Sequence, residues 1–310
     1  MNAKWSSVVL CMALLAALAT PQLAPAQSAS GNLILNVPDW NQPTNYGVGG
    51  YPGWCSPTSG ANLMGYWEDV MGCSGLTDQQ AFTSSPGYPN TSGTWQQGLY
   101  HDGMVEMGWH MDTGSWQSTP GPFPPNSGST TTANILPGLL SYATGGWTDN
   151  DYAGGGGAGT GIVKTAYASA TGYTDAVAGT PLGTMWLNYV GEIDAAHPVE
   201  CTFDKWVNSG IVSQSWTLNG QTVDEHPWQD SDPHSVVGVG YIDPNPGYDG
   251  DGSEYFVCQD NWQTTGQYVA VPVDTVWLQN DYITDVPEPA TMALLAAGAF
   301  GLIRRRRRRN

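Results

Sequence analysis

The stretch "WCSPTSGANLMGYWEDV", residues 54–70, decides how the chain folds around its chemistry. Apolar residues recur at helical spacing over 63–70, and Pro57-Thr58-Ser59 suits the start of a helix. Cys55 therefore lies at or just before a helix N-terminus, where the positive end of the helix dipole favours a thiolate. The cysteine is either a nucleophile or one half of a disulfide.

The N-terminus has the layout of a targeting segment. Residues 1–26 combine Lys4, an apolar run over 8–18 and the small-residue sequence Ala24-Pro25-Ala26. A basic start, an apolar centre and a small-residue cleavage site are the parts of a secretory signal peptide. We therefore expect an exported protein with 1–26 removed.

The C-terminal residues 286–310 form a second targeting segment, in which Val-Pro-Glu-Pro precedes an apolar run over 290–303 and six arginines. Fourteen helical residues span only about 21 Å, whereas the hydrocarbon core is roughly 30 Å thick. The segment predicts a short transmembrane anchor of transient use, with an ordinary membrane helix as the alternative. Its three-part order resembles the PEP-CTERM sorting signal, which implies handling by an exosortase-type enzyme and delivery to the cell surface or extracellular matrix of a Gram-negative bacterium.

The body between these ends, residues 27–285, is strongly acidic. Lys164 and Lys205 are its only lysines or arginines, against 26 Asp and Glu residues. This balance excludes a nucleic-acid partner, since phosphate binding needs cations. It also leads us to expect an acidic cleft that favours basic peptides. The length suits one domain, or two lobes around a cleft.

Periodicity predicts helices before strands. Helices are expected over 131–144, with a kink or late start at Pro137, and over 183–196. Segments after residue 197 alternate or carry β-branched runs, which is typical of strands. We therefore expect an α+β fold, in which an N-terminal helical part faces a C-terminal antiparallel sheet.

A nucleophilic cysteine needs a base, a group that orients the base and donors for an oxyanion. His234 opens the predicted strand "HSVVGVGYID", and Asp260 follows a strand that a hairpin would pair with it. Gln42 lies upstream and offers a side-chain amide that can join the Cys55 N–H in an oxyanion hole. These four residues are the predicted catalytic set.

Five stretches carry a family resemblance: "VPDWNQ" 37–42, "WCSPTSGANLMGYW" 54–67, "EIDAAHPV" 192–199, "HSVVGVGY" 234–241 and "QDNW" 259–262. In this order they resemble the papain-like cysteine peptidases, and more narrowly the bacteriocin-processing (double-glycine leader) peptidases and their secreted relatives. The resemblance implies the papain-like fold, with the nucleophile helix facing the sheet across a cleft.

The resemblance also implies roles for individual residues. Gln42 becomes the oxyanion residue, Cys55 the nucleophile, His234 the general base and acid, Asp260 its orienting partner, and Trp262 a shield over the last two. The sequence departs from the family in two places: thirteen positions separate the glutamine from the cysteine, and serine follows the cysteine where glycine is usual.

Two further sites are predicted. Cys201 and Cys258 lie in expected strands and form the preferred disulfide, which leaves Cys73 free; pairing of Cys73 with Cys55 is the alternative reading. A weak calcium candidate is formed by four oxygen-bearing residues of one loop, Asp249, Asp251, Ser253 and Glu254. No other cofactor or metal is expected, because the histidines lack zinc-ligand spacing.

The sequence as a whole predicts an exported cysteine peptidase that cleaves peptide or protein substrates through a Cys55 thioester. Two alternatives remain open: an amidase or acyltransferase that uses the same residues, and a non-catalytic matrix or adhesion protein in which Cys55 is structural.

Overall fold

The computed structural model describes residues 27–28, 30–40, 53–77, 101–115, 117, 129–145, 165–204, 212–225, 233–243, 254–261, 268–273 and 277–286. Its helices are α1 Cys55–Asp69, α2 His101–His110, α3 Thr132–Thr144 and α4 Leu182–Asp194, with a 3-10 turn at Thr113–Ser115. Its strands are β1 Gln27–Ser28, β2 Ser30–Leu33, β3 Thr171–Ala176, β4 Val199–Phe203, β5 Gln214–Leu218, β6 Gln221–Glu225, β7 His234–Asp243, β8 Tyr255–Gln259, β9 Val269–Pro272 and β10 Trp277–Asp285. The α+β class expected from the sequence is confirmed.

The described strands form one ten-stranded sheet in the order β1-β5-β6-β9-β8-β7-β4-β10-β3, and β2 pairs with the far end of β7. Strand β7 pairs antiparallel with β4 on one side and with β8 on the other, as expected for the hairpin partner of β8. The β1–β5 and β6–β9 pairs are parallel, so the prediction of a purely antiparallel sheet is wrong. Both exceptions join strands that are not hairpin neighbours, and sequence periodicity carries no information about such pairings.

Two hydrophobic cores divide the molecule. One lies between the sheet and α4, where Trp186, Tyr189 and Phe256 pack edge to face or stacked. The other lies among the helices around Met107 and Leu139, both of which are fully buried. Helix α1 contributes to both cores, and nearly all of its residues are buried. It therefore lies between the helical part and the sheet.

Local patterns located the helices better than the early strands. Helix α4 confirms the prediction over 183–196, and α3 confirms the prediction over 131–144. The late start expected at Pro137 is wrong, because α3 runs through this exposed proline. Packing of buried residues such as Ile135 and Leu139 on either side compensates for the missing N–H.

The two targeting segments lie mostly outside the described residues. Residues 1–26 and the apolar run over 290–303 lie outside the described residues. Within the part of the chain that is described, no helix has the length and apolar character needed to cross a bilayer.

Candidate active site

Cys55 is the first residue of α1. The main-chain N–H of Thr58 and its hydroxyl both donate to the Trp54 carbonyl, at 3.1 and 2.8 Å, and this closes the first turn. Pro57 is tolerated as the third helical residue, because N–H groups of the first turn have no partner within a helix. The first turn thus holds the Cys55 side chain, which is 9% exposed, at the junction of α1 and the sheet.

His234 is the first residue of β7 and is also buried. Its Nε2 lies 2.9 Å from the main-chain carbonyl oxygen of Asp260, which follows the neighbouring strand β8. A carbonyl only accepts, so Nε2 carries the hydrogen and donates it. In the neutral imidazole, Nδ1 is then the nitrogen that can accept a proton. This hydrogen bond favours the neutral tautomer of His234 with its hydrogen on Nε2, in which Nδ1 can act as a base.

Cys55 and His234 line the same cleft, which has a volume of about 510 Å³. The other described lining residues are hydroxyl-bearing or apolar: Gly53, Ser56, Ser129, Thr130, Thr132, Ile135, Thr202, Pro233, Ser235 and Leu278. None of these described residues is acidic. These described lining residues therefore give no support to the expectation that the overall charge makes the cleft acidic.

A chain of buried hydroxyls runs behind the cysteine. The Ser56 and Ser235 oxygens are 2.7 Å apart, and the Thr202 hydroxyl is 3.0 Å from that of Ser235. The chain links α1 to β7 and β4, so it fixes the nucleophile helix against the strand that carries His234.

Burial has the largest effect on the pKa values of Cys55 and His234. Burial raises the pKa of Cys55, and the hydrogen bonds from Ser235 and Ser56 oppose this shift. Burial lowers the pKa of His234 to about 4, against the smaller opposing effects of the Asp260 carbonyl and carboxylate. Desolvation therefore opposes the thiolate that the position of Cys55 at a helix N-terminus favours. At neutral pH the pair is a thiol and an uncharged imidazole.

Asp260 lies beside His234, and the described hydrogen bond between them uses its main-chain oxygen rather than its carboxylate. The carboxylate lies close enough to Asp39 to affect its ionisation: partial desolvation, and then the charge of Asp260, raise the pKa of Asp39 to about 7. Asp39 belongs to the stretch "VPDWNQ". The carboxylate of Asp260 therefore has a like-charged neighbour that sequence reasoning did not assign.

Sequence reasoning also missed Asn261. Its amide nitrogen donates to the Ser59 hydroxyl at 2.8 Å and to the Ser235 carbonyl at 3.0 Å. Its side-chain oxygen accepts from Asn62 at 3.1 Å, and Asn62 in turn exchanges hydrogen bonds with the main chain of Trp40. Asn261 has a φ of 62°, a left-handed conformation that asparagine tolerates. One buried amide thus ties α1 to β7 directly beneath the site.

Several predicted site residues lie outside the described residues. These are Gln42 of the catalytic set, the shielding residue Trp262, and three members of the calcium candidate, Asp249, Asp251 and Ser253. The fourth member, Glu254, is buried just before β8. Within the described ranges, no group of three or more His, Cys, Asp or Glu residues is arranged to hold a metal ion.

The predicted Cys201–Cys258 disulfide is wrong for this structure, in which Cys55, Cys73, Cys201 and Cys258 are all free and buried. Cys201 lies on β4 and Cys258 on β8, and β7 separates these two strands. Two strand spacings amount to roughly 9.6 Å, whereas a disulfide needs Cα atoms within about 7 Å. Cys73 donates to the Val286 carbonyl at 3.1 Å instead of bonding Cys55.

Comparison with known families gives two matches. A family model described as "Peptidase_C39 like family" matches residues 34–284, and a model described as a PEP-CTERM protein-sorting motif matches residues 285–309. No curated protein and no solved structure matches the chain. The second match confirms the expected sorting tail and implies export and surface sorting in a Gram-negative bacterium. Because the first match covers most of its length, the chain belongs to the Peptidase_C39-like family.

Proposed function

We propose that the protein is an exported cysteine peptidase of papain-like fold, with Cys55 as its nucleophile and His234 as its general base and acid. One observation carries the proposal: these two side chains, from a helix N-terminus and a strand start, line one cleft. The hydrogen bond from His234 Nε2 to Asp260 supports it, because it leaves Nδ1 as the proton acceptor. The position of α1 between the helical core and the sheet is the arrangement that a papain-like fold requires.

The first half of the reaction follows from the neutral resting pair. His234 Nδ1 accepts the thiol proton as the Cys55 sulphur attacks the carbonyl carbon of the scissile bond. The negative charge that forms on the carbonyl oxygen is stabilised by the Cys55 main-chain N–H and by the amide of Gln42. The imidazolium then gives the proton to the leaving amine, and a thioester remains on Cys55.

In the second half, water attacks the thioester. His234 accepts a proton from this water, the same donors stabilise the second oxyanion, and the acid product leaves as the thiol regains its proton. Asp260 orients the imidazole throughout. The hydroxyl and apolar lining of the cleft favours uncharged side chains next to the scissile bond, since a buried charge without a partner is costly.

Alkylation tests the nucleophile directly. The protein without residues 1–26 and 287–310, which keeps the buried Val286, is treated with iodoacetamide across a range of pH, and labelled cysteines are mapped by mass spectrometry. We expect Cys55 to label, and His234→Ala to slow its labelling by removing the proton acceptor. Cys73 is a matched internal control, because it is also free and buried but is not among the residues that line the cleft.

Cleavage tests the enzyme class. The same protein is incubated with a peptide library, with Cys55→Ser as the control, and products are sequenced. We expect cuts beside uncharged residues that the control does not make. Cys55 labelling without any cleavage would favour an amidase or acyltransferase, and failure of both would favour a matrix or adhesion protein with a structural cysteine.

The family match at the C-terminal segment supports a sorting pathway as well as a final location. We propose that an exosortase-type enzyme processes residues 286–310 after transient anchoring in the inner membrane, and that the body then reaches the cell surface or matrix. Replacing the arginines 304–309 with glutamine is expected to leave the protein unprocessed. Immunoblots of cell fractions follow its size and place, and normal surface delivery of the variant would contradict the route.

A further inference from the structure

Leu278 of β10 is a half-buried leucine that is not among the described residues of either hydrophobic core. It lines the cleft that also contains Cys55 and His234. A large apolar side chain that water still reaches is stabilised when a ligand covers it. Its place beside the nucleophile therefore makes Leu278 a contact for whatever the cleft binds.

A β-bulge turns Leu278 towards the cleft. Trp277 of β10 pairs with Phe203 of β4; two residues later, Gln279 pairs with Thr202, the neighbour of Phe203, so β10 carries one extra residue here. In a regular strand, residues 277 and 279 would share a face. Here Trp277 packs in the core next to α4, whereas Gln279 donates a hydrogen bond to α3 on the other face. The bulge places Leu278 on the same side as Gln279, in the cleft lining.

Helix α3 forms the facing wall of this part of the cleft. The Nε2 of Gln279 donates to the main-chain carbonyl of Thr132 at 2.9 Å, which ties the first residue of α3 to β10. Ile135, one turn further along α3, is buried and lines the same cleft. Leu278 and Ile135 thus supply apolar surface from two elements that a hydrogen bond holds together, and they form the apolar end of the cleft.

A strip of hydroxyls lies between the apolar end and the catalytic pair. Ser235 follows His234 on β7 and pairs directly with Thr202 of β4, and their hydroxyl oxygens are 3.0 Å apart. Strand β10 is the next strand beyond β4, so Leu278 lies two strand spacings, roughly 9.6 Å, from the start of β7. An extended peptide advances about 3.4 Å per residue, so this distance corresponds to about three residues.

We propose that Leu278 is a specificity-determining residue, which with Ile135 binds an aliphatic side chain of the peptide about three residues from the bond that is cut. The inference rests on the proposed function of Cys55 and His234 in this cleft. The described lining includes no acidic residue, lysine or arginine, so a charged side chain would lose hydration there without gaining a partner. Each methylene that the apolar end buries should strengthen binding about fourfold.

Alkylating reagents with chains of different length test the apolar end without a peptide. The full chain is treated with N-methyliodoacetamide or N-octyliodoacetamide, and the rate of labelling at Cys55 is measured by mass spectrometry. Each rate is divided by the rate of the same reagent with free cysteine. Because the apolar end is roughly 9.6 Å away, the octyl chain reaches it and the methyl group does not. We expect an octyl-to-methyl ratio of at least about ten.

Leu278→Asn replaces the leucine by a polar side chain of similar size. We expect this variant to reduce the octyl-to-methyl ratio at least about fivefold. Leu187→Asn is the matched control, because Leu187 is a leucine of α4 that is 63% exposed and is not among the described residues that line the cleft. Its ratio should stay within about twofold of the parent. A parent ratio near one would overturn the proposal, as would an unchanged ratio in folded Leu278→Asn. Leu278→Ala replaces Leu278→Asn if the latter does not fold.

These readouts separate the apolar end from the proposed peptidase activity. A high octyl-to-methyl ratio without cleavage of any peptide would retain the apolar end and contradict the peptidase. If Cys55 labels with neither reagent, calorimetry of the unreactive N-octylacetamide with Cys55→Ser decides. We expect binding that Leu278→Asn weakens at least about fivefold, and no binding or equal binding contradicts the proposal.

If the protein cleaves peptides, the sequenced products give a further test. The residue about three positions from the cut should be enriched in leucine, isoleucine, valine and methionine, and Leu278→Asn should remove this enrichment. Cleavage with no such preference in the parent protein would contradict the proposed role of Leu278 and leave the peptidase standing.

Discussion

Asn261→Ala is expected to loosen the joint between α1 and β7. The substitution removes the hydrogen bonds to the Ser59 hydroxyl, the Ser235 carbonyl and the Asn62 amide, which measure 2.8, 3.0 and 3.1 Å. A buried hydrogen bond contributes about 1 kcal/mol, and alanine in a left-handed conformation costs about 1 kcal/mol more. We therefore expect a loss of about 4 kcal/mol in the free energy of unfolding.

Asn36→Ala is the matched control. Asn36 has a φ of 64°, close to the 62° of Asn261, but is exposed and has no described side-chain hydrogen bond. Its loss should be about 1 kcal/mol, from the backbone conformation alone. Urea unfolding of both variants measures the difference, which is the contribution of the buried amide network.

A difference of less than about 1 kcal/mol between the two variants would refute the reasoning, because the network would then contribute no more than a single hydrogen bond. The Asn261→Ala protein should also label more slowly at Cys55 while folded, since the nucleophile helix is no longer held against the His234 strand. Normal labelling together with lost stability would limit Asn261 to a structural role.

Three further outcomes are expected. Gly238→Ala should lower the unfolding free energy by about 1–3 kcal/mol, because the added methyl lies 2.7 Å from the Tyr189 ring and 2.8 Å from the Cys201 sulphur; urea unfolding measures it. The unfolded, unreduced body should contain four thiols by thiol titration; two fewer would show that a disulfide forms, and peptide mapping would identify the pair. The pKa of Glu200, which burial in β4 raises, stabilises the fold fully below its unfolded pKa of about 4.3 and progressively less as pH rises towards its folded value. The unfolding free energy of the parent should therefore fall relative to Glu200→Gln by up to about 1.4 kcal/mol per pH unit between pH ~5 and ~7, and parallel curves would contradict this.

Helices α1, α3 and α4 were predictable because each has an apolar stripe in its own sequence, which local periodicity detects. Strand β3 was missed: its burial alternates poorly, and it forms a strand because β10 pairs with it. The β-branched run "QYVAVPVDTVWL", 267–278, reads as one strand, but its residues belong to two strands, β9 and β10, in different parts of the sheet. Pairing partners distant in sequence leave no local pattern.

The residues of the candidate site also fall into those that the sequence predicted and those that it did not. Cys55, His234 and Asp260 were found from their types, their order and their places at element ends. Asn261 was not, since an asparagine in a turn looks like a solvent-exposed residue until the fold buries it. Desolvation is a tertiary property, and it reverses the expected direction of the pKa of Cys55.

The sequence by itself determined the family, the sorting tail and the α+β class, because these depend on residue types in a fixed order. Only the tertiary structure decided that the described lining of the cleft carries no acidic residue and that β7 separates Cys201 from Cys258. Each of these depends on distance and burial between residues far apart in the chain. Free energies of desolvation and repulsion are set by those distances and not by neighbours in sequence.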